Sequence, residues 1–244
     1  TKKLKYKHFP LLKMFFYPAI KIKRLPLFST SKITSSKQNL CFKELANAAA
    51  KYINSGVPEL GIEPLDPLII EMQVGTVASL NYKFINRTIG GLSNCHIGKL
   101  KINAELTNLQ YQLDCTELLQ RGKYELDGQL LIIPVHGKGD FTMMGDRQTK
   151  NCTYHILGSD GKTYLTIKNF KIKYDPREPL IFEFENLFNG QKELSSAIHN
   201  FAHDNWKDLA DVLQEPVMKP AWERIFKNVN KFLKTLPVED VLID

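Results

Sequence analysis

The chain has 244 residues, of which 43% are hydrophobic and 24% are charged. These values are typical of a folded globular protein, and they exclude a fully disordered chain and a fibrous class. No apolar run approaches the roughly 18 residues that a membrane-spanning helix needs, so we predict no stable membrane insertion.

The net charge of +7 at pH 7 is carried by the start of the chain. Residues 1–39 contain ten Lys or Arg and no acidic residue, which leaves residues 40–244 with a net charge of −3. A nucleic-acid-binding domain usually needs a net positive surface to meet phosphates. We therefore predict that the foldable part of the chain has no nucleic-acid partner.

The basic segment, residues 1–38, is interpreted as a disordered leader before a single domain of residues 39–244. The apolar patch at 14–20 is short, and no small-residue cleavage site follows it, so no clear signal peptide is present. A mitochondrial presequence is the alternative. The leader contains a single Arg and no clean amphipathic helix, and both features count against that alternative.

The first predicted element is a helix that begins at about Asn39. Gly56 stands where this helix would end, and three prolines between Gly56 and Leu68 make the next segment extended or turning. The apolar residues that recur at helical spacing are Leu40, Leu45, Ala48, Ala49, Tyr52 and Ile53.

The middle of the chain, from Thr76 to about Phe184, has the composition of β-strands. Short connections predict antiparallel pairs, and strands of about ten residues or more predict strong curvature. The predicted strands cover residues 76–88, 92–105, 107–116, 122–136, 139–145, 151–158, 162–174 and 179–185. Tight turns are predicted at Gly145-Asp146, at 158–161 and at 175–177.

Helical periodicity returns at Glu193. The first C-terminal helix is predicted to end at Pro216, and a second is predicted from about Lys219 to Pro237. A long amphipathic helix fills the concave face of a curved sheet, and the part that it leaves unfilled is an apolar cavity. We therefore predict an α+β fold in which a long, highly curved antiparallel sheet wraps around a long C-terminal helix.

Several short motifs occur in a fixed order after residue 39. They are Gly56–Ile62, Pro64–Leu68, Gly91–Ser93, Gly122–Tyr124 with Gly128, Pro134–Gly139, Asn186–Gly190 and Asn205-Trp206. Together they resemble the takeout / juvenile hormone binding protein family of arthropods. The resemblance implies a tubular, lipid-binding-like fold, carriage of a small hydrophobic molecule in an internal tunnel, and secretion. Family members have two N-terminal cysteines that close a small loop; Cys41 matches the second, and residues 30–40 contain no cysteine.

Cys95 and Cys115 are the candidate disulfide. If the second and third predicted strands form a hairpin centred at Glu105, these two cysteines face each other, which makes a disulfide geometrically conceivable. Buried free thiols are the alternative. The sequons at Asn86 and Asn151 are candidate glycosylation sites, which would fit secretion.

No metal site, catalytic residue or cofactor is predicted. His199 and His203 have the i, i+4 spacing of a zinc pair, but a solvated polar face is the better interpretation because Asn200 stands where a metalloprotease has Glu. The segment 137–140 resembles part of a phosphate loop, but β-like sequence flanks it, so its glycines are predicted to allow a bulge or bend. We find no Gly-x-Ser-x-Gly motif and predict that the chain is not an enzyme.

These observations predict a secreted carrier that binds a small hydrophobic ligand, such as a juvenile hormone, a fatty acid or a terpenoid, in an apolar tunnel. The alternatives are an interaction protein with a closed tunnel and a hydrolase of lipophilic esters. The predicted partner is the small lipophilic ligand, and an unidentified receptor is a further candidate. Ordinary core packing is the alternative for each predicted lining residue. The predicted tunnel lining is Leu130, Ile132, Phe141, Met143, Phe182, Phe184, Leu187, Phe188, Ile198, Phe201, Trp206 and Phe226.

Overall fold

The computed structural model describes residues 35–103, 108–130, 133–145, 148–154, 164–168, 170–176 and 178–236. Within these ranges it contains three α-helices and nine strands, and the strands form two antiparallel sheets. The helices are α1 (Ser35–Asn54), α2 (Lys192–Asp204) and α3 (Trp206–Leu233). The first sheet has the order β1-β2-β5-β6-β9, with β1 (Leu68–Val77), β2 (Ser79–Gly90), β5 (Leu118–Leu130), β6 (Ile133–Gly145) and β9 (Ile181–Phe184). The second has the order β3-β4-β7-β8, with β3 (His96–Ile102), β4 (Leu109–Cys115), β7 (Gln148–Tyr154) and β8 (Lys173–Pro176).

The predicted α+β architecture is confirmed: long antiparallel strands pack against a long C-terminal helix. Side chains of α3 enter two buried clusters, one around Trp222 and Phe226 and the other around Val217. Helix α3 therefore runs through the centre of the molecule and joins its two cores.

Helix α1 confirms the first predicted helix, and it ends just before Gly56, whose φ of +82° is the left-handed conformation that glycine adopts without steric penalty. The side chain of Asn47 fixes α1 to the second sheet. Its Oδ1 accepts the Ile97 N–H at 2.7 Å, and its Nδ2 donates to the Ile97 carbonyl at 3.1 Å.

Strand β1 is an edge strand that the sequence pattern does not predict. The chain reverses at Ala78, which has a φ of +51°, and then returns as β2. The outward face of β1 is apolar: Ile69, Met72 and Val74 are 51%, 62% and 68% exposed. Because both faces carry apolar side chains, the polar–apolar alternation that marks a half-buried strand is lost.

A bulge in β2 between Ile85 and Thr88 turns Arg87 towards the interior. Before the bulge, the even-numbered side chains of β2 point inward. After it, the odd-numbered Arg87 and Ile89 are buried. The extra residue shifts the alternation by one position. Asn86, within the bulge, is exposed.

Strands β5 and β6 form a hairpin whose register is uninterrupted, so the predicted break between 136 and 139 is wrong. Chain reversal occurs instead between Leu130 and Ile133. A Cβ on Gly139 would lie 2.4 Å from the carbonyl oxygen of Glu185. This glycine therefore allows another backbone segment to approach β6 closely, and it forms neither the predicted bulge nor a phosphate loop.

The β3–β4 hairpin confirms the candidate disulfide. His96 pairs with Asp114, which places the preceding Cys95 opposite Cys115, and their sulfur atoms are bonded. The predicted centre at Glu105 therefore gives the correct register at this end of the hairpin. A bulge between Ile97 and Lys99 changes that register further along.

The last predicted strands are shorter than expected. Strand β8 begins only at Lys173, and residues 165–168 and 170–172 lie outside strands. The predicted turn at 175–177 is wrong in its first two residues, because Asp175 and Pro176 pair with β7. The predicted turn at 158–161 lies outside the described residues, as does Asp146 of the other predicted turn.

The helical region is interrupted at Asn205, where φ is −112°, rather than at Pro216. Both Pro216 and Pro220 lie inside the 28-residue helix α3, so the prediction that Pro216 ends a helix is wrong. No helix in the described part of the chain is long and apolar enough to span a membrane.

Side chains of the first sheet explain why α3 continues through Pro220. Pro220 has no N–H to donate to the Pro216 carbonyl four residues earlier. That carbonyl accepts instead from Tyr82 Oη at 3.3 Å and from Gln73 Nε2 at 3.4 Å. The hydrogen bond that proline removes from the helix is thus replaced by donors from β1 and β2.

A partly exposed ion pair fixes the segment before β1 to α3. The carboxylate of Glu63 accepts from Arg224 Nε at 2.8 Å and Nη2 at 2.5 Å, and from Asn228 Nδ2 at 3.1 Å. The hydrogen bonds from Arg224 lower the pKa of Glu63 to about 2. The carboxylate form is therefore the one that this contact stabilises.

We expect Glu63→Gln to remove a stability contribution that depends on acid pH. The contribution is complete above the unfolded-state pKa of about 4.5 and is lost as the pH falls towards 2. The Arg224 and Glu63 side chains are 38% and 42% exposed, so it should not exceed about 1 kcal/mol. Thermal melts at pH 5 and pH 2.5 should show the gap between the wild type and the variant closing. A gap of equal size at both pH values would contradict this assignment.

Candidate ligand-binding site

Two separate apolar cavities lie along α3, and the described residues that line one do not line the other. The first cavity has a volume of about 230 Å³ and lies between α1, the second sheet and the C-terminal half of α3. It is larger than the roughly 150 Å³ engineered cavity that stays dry and binds benzene. Its lining includes Leu45, Ala49, Leu100, Leu113, Phe226 and Val229.

The second cavity has a volume of about 110 Å³. It lies between the first sheet, α2 and the N-terminal half of α3. Its wall is also mostly apolar, with the side chains of Gln120, His199 and Gln214 among the polar exceptions.

A buried cation, Arg87, lies where the two hydrophobic cores meet. The preceding inward residue, Phe84, belongs to the core of the second cavity, and the following one, Ile89, belongs to the core of the first. Arg87 is 0% exposed. A fully buried charge is rare in proteins and needs hydrogen-bond partners on every side.

Neutral acceptors surround the Arg87 guanidinium. Nη1 donates to Gln73 Oε1 at 2.6 Å and to the Val217 carbonyl at 2.8 Å. Nε and Nη2 donate to Gln120 Oε1 at 3.0 and 2.6 Å, and Nη2 also contacts Met218 Sδ at 3.0 Å. Burial lowers the pKa of Arg87 to about 10, so the group remains protonated at neutral pH. These contacts connect β1, β2, β5 and α3 between the cavities.

His199 lies in the wall of the second cavity, half-buried rather than on a solvated face as predicted. Its Nε2 accepts the Phe184 N–H at 3.0 Å, and its Nδ1 lies 2.8 Å from the Ser195 carbonyl. The proton is therefore on Nδ1, which donates to that carbonyl. Both ring nitrogens are engaged by backbone, whereas His203 is exposed. Within the described ranges no three side chains are grouped to hold a metal ion.

The structure places the predicted lining residues in four groups. Ile132 lies outside the described residues. Phe226 borders the first cavity. The residues that border the second cavity are Leu130, Met143, Phe182, Phe184, Leu187 and Ile198. The residues that border neither cavity are Phe141, Phe188, Phe201 and Trp206.

Close packing accounts for two of the residues that border neither cavity. The ring of Phe141 lies 4.8 Å from that of Phe84 and 5.9 Å from that of Phe184, and it is 2% exposed. The ring of Phe188 packs against His136 at 4.9 Å. Phe201 and Trp206 are half-buried, and no ring contact among the described residues explains why they border neither cavity.

The sequence prediction misses most of the first cavity, because it places the tunnel between the first sheet and the C-terminal helices and includes neither α1 nor the second sheet. The available signal is the apolar stripe of the first predicted helix, of which Leu45, Ala49 and Ile53 face this cavity. The buried polar residues of the Arg87 contacts were also missed.

Residues 11–243 match the family model for haemolymph juvenile hormone binding protein. The chain belongs to this family. The match begins at residue 11, within the predicted basic leader, so it covers more of the chain than the motifs suggest. Membership confirms the resemblance seen in the sequence and assigns the chain to a family with a hydrophobic-ligand-binding fold.

Two relatives and one solved structure are similar to this chain over most of its length. The chain is 30% identical over 207 residues to the circadian clock-controlled protein daywake of Drosophila yakuba, covering 79% of both chains. It is 28% identical over 214 residues to daywake of Drosophila melanogaster, covering 82% of both. The crystal structure of Epiphyas postvittana takeout 1 superposes with a TM-score of 0.77 at 24% identity, covering 82% of this chain and 94% of that one. This last similarity shows the fold.

Proposed function

We propose that the protein is a secreted carrier that holds a small hydrophobic ligand inside the fold. The first cavity carries this proposal, because it has a volume of about 230 Å³ and an almost wholly apolar wall. Burial of apolar ligand surface contributes about 25 cal/mol per Å², before the entropic cost of association. A ligand of the juvenile hormone, fatty-acid or terpenoid type has enough apolar surface to gain from such burial.

Two features support a carrier over the alternatives. An interaction protein with a closed tunnel needs a filled interior, whereas two cavities are present in the described part of the fold. A hydrolase with a Ser–His–acid cluster needs a serine that opens into a cavity, and the described cavity walls include no serine. The one histidine in these walls, His199, is engaged by backbone at both ring nitrogens.

Secretion is part of the proposal and has independent support. Disulfides persist mainly in oxidising compartments, so the Cys95–Cys115 bond favours an extracellular location. Asn86 is exposed, as glycosylation requires, and we propose it as the first sequon to test. The side chain of Asn151, the second sequon, lies outside the described residues. A receptor on the cell surface would be a further partner.

Native mass spectrometry of the full chain tests the carrier proposal. The protein would be made in eukaryotic secretory cells, purified without delipidation, and sprayed under non-denaturing conditions. We expect a stoichiometric adduct that is released by organic solvent and is lipid-like when identified. A clean apo mass, unchanged after incubation with a set of lipophilic compounds, would contradict the carrier and favour the interaction protein.

A further inference from the structure

Gln214 is a buried amide without a hydrogen-bond partner. It lies on α3, is 8% exposed and forms part of the second cavity wall. Among the described residues, neither its Oε1 nor its Nε2 has a hydrogen-bond partner. Buried polar side chains nearly always have partners, because leaving them unpaired costs free energy on folding. A ligand in the cavity could supply the missing partners.

The neighbours of Gln214 use their polar atoms elsewhere. Gln120 accepts from Arg87, and His199 is bonded to backbone at both ring nitrogens. Met218, one helical turn after Gln214, contacts Arg87 through its sulfur atom. Gln214 therefore presents a free donor and a free acceptor within a wall where Gln120 Oε1 and both ring nitrogens of His199 are already engaged.

The amide limits the chemistry of the ligand. Its N–H donor and its carbonyl acceptor lie side by side, and a carboxyl group in the acid form offers the complementary acceptor and donor together. An ester satisfies only the donor, and a hydrocarbon satisfies neither. A cationic head group is disfavoured, because its charge would be buried in an apolar wall that has no acidic side chain among its described residues.

We infer that the second cavity binds a carboxylic acid of short to medium chain length, with its carboxyl group hydrogen-bonded to Gln214. This inference rests on the proposed function and names a ligand class for one part of the interior. The cavity volume of about 110 Å³ accommodates the head group and the first carbons, and because the cavity is partly open, a medium-length chain continues beyond it. Burial in an apolar wall favours the neutral acid over the carboxylate, as pairing with the amide requires.

Isothermal titration of four octyl compounds into the full-length protein tests the inference. The compounds are octanoic acid, methyl octanoate, octane and octylamine. We expect the acid to bind most tightly and the amine most weakly. Gln214→Met keeps the length of the side chain and removes both hydrogen bonds, so it should weaken octanoic acid binding about tenfold and leave octane binding unchanged.

The melting temperature of the ligand-free protein separates an effect on ligand binding from an effect on folding. Since Gln214 has no partner in the described fold, Gln214→Met should leave the melting temperature of the ligand-free protein unchanged or raise it. The control, Gln191→Met, makes the same exchange at an exposed position and should alter neither binding nor melting. The carboxyl resonance of [1-¹³C]octanoic acid bound to the wild type should differ from that in the Gln214→Met complex.

The outcomes distinguish this inference from the carrier proposal. Equal loss of acid and octane affinity in Gln214→Met, or no loss of either, would overturn the role of Gln214. If the wild type binds none of the octyl compounds and yet carries a lipid adduct in native mass spectrometry, only the inference fails. If it binds none and carries no adduct, the carrier proposal fails with it.

Discussion

Arg87→Met should lower the free energy of unfolding by about 3 kcal/mol, because the hydrogen bonds that it removes contribute more than the cost of burying the charge that it relieves. The variant removes four hydrogen bonds from a charged donor, one to Gln73 Oε1, one to the Val217 carbonyl and two to Gln120 Oε1. Each hydrogen bond to a charged group contributes about 1.5–3 kcal/mol. Burial lowers the pKa of Arg87 to about 10, which corresponds to a cost of about 3 kcal/mol for keeping the cation charged, and the variant recovers this cost. The four lost hydrogen bonds outweigh this gain.

Urea unfolding measures the expected loss, and two controls identify its cause. Lys83→Met removes a partly exposed cation from the same strand and should change stability by less than about 1 kcal/mol. The double variant with Arg87→Met and Gln120→Leu also removes the Gln120 acceptor that the single variant leaves unpaired, and it should recover part of the loss. A double variant less stable than Arg87→Met alone would show that packing, rather than an unpaired acceptor, dominates at this position.

The local sequence pattern is sufficient to predict elements whose contacts in the fold are with residues close in sequence. The stripe and the terminal glycine of α1 predicted that helix, and the β3–β4 hairpin placed Cys95 opposite Cys115. In both cases the determining interactions lie within about twenty residues. The family motifs then gave the overall architecture, which no single element predicts.

The errors occur where distant segments override local preference. Pro220 is tolerated in α3 because Gln73 and Tyr82, more than a hundred residues earlier, donate to the Pro216 carbonyl, which Pro220 cannot bond. Gly139 lies within a regular strand because the backbone at Glu185 needs its space. The interpretation of proline and glycine as ends or bends is correct only when no distant partner compensates for them.

The site is harder to predict than the fold, because an apolar residue in a cavity wall and one in a filled core give the same sequence pattern. Phe141 and Phe184 are both inward aromatic residues and pack on each other, yet only Phe184 borders a cavity. The buried polar residues could be found in principle. Arg87 occupies an inward position only because of the β2 bulge, and a bulge of one residue leaves no clear mark in the sequence.

Helix α3 offers a direct test of the first cavity at Val229, which is half-buried and lines it. We expect Val229→Glu to reduce the affinity for N-phenyl-1-naphthylamine, a lipophilic fluorescent probe, at least about 100-fold at pH 7. An unpaired carboxylate facing an apolar ligand would cost about 3 kcal/mol or more. Fluorescence titration gives the affinity, and circular dichroism melts verify that the variant is folded.

The pH dependence of Val229→Glu binding separates a charge effect from a steric one. Burial raises the pKa of the introduced carboxyl, so lowering the pH to 5 should protonate it and restore part of the probe affinity. Glu63 remains ionised in the folded state at that pH, because its pKa is about 2. Lys227→Glu places the same side chain on the exposed face of α3, and Val229→Leu keeps the wall apolar. Both controls should bind the probe like the wild type. Equal binding by Val229→Glu would mean that the probe, and any carried ligand of its class, does not occupy the first cavity.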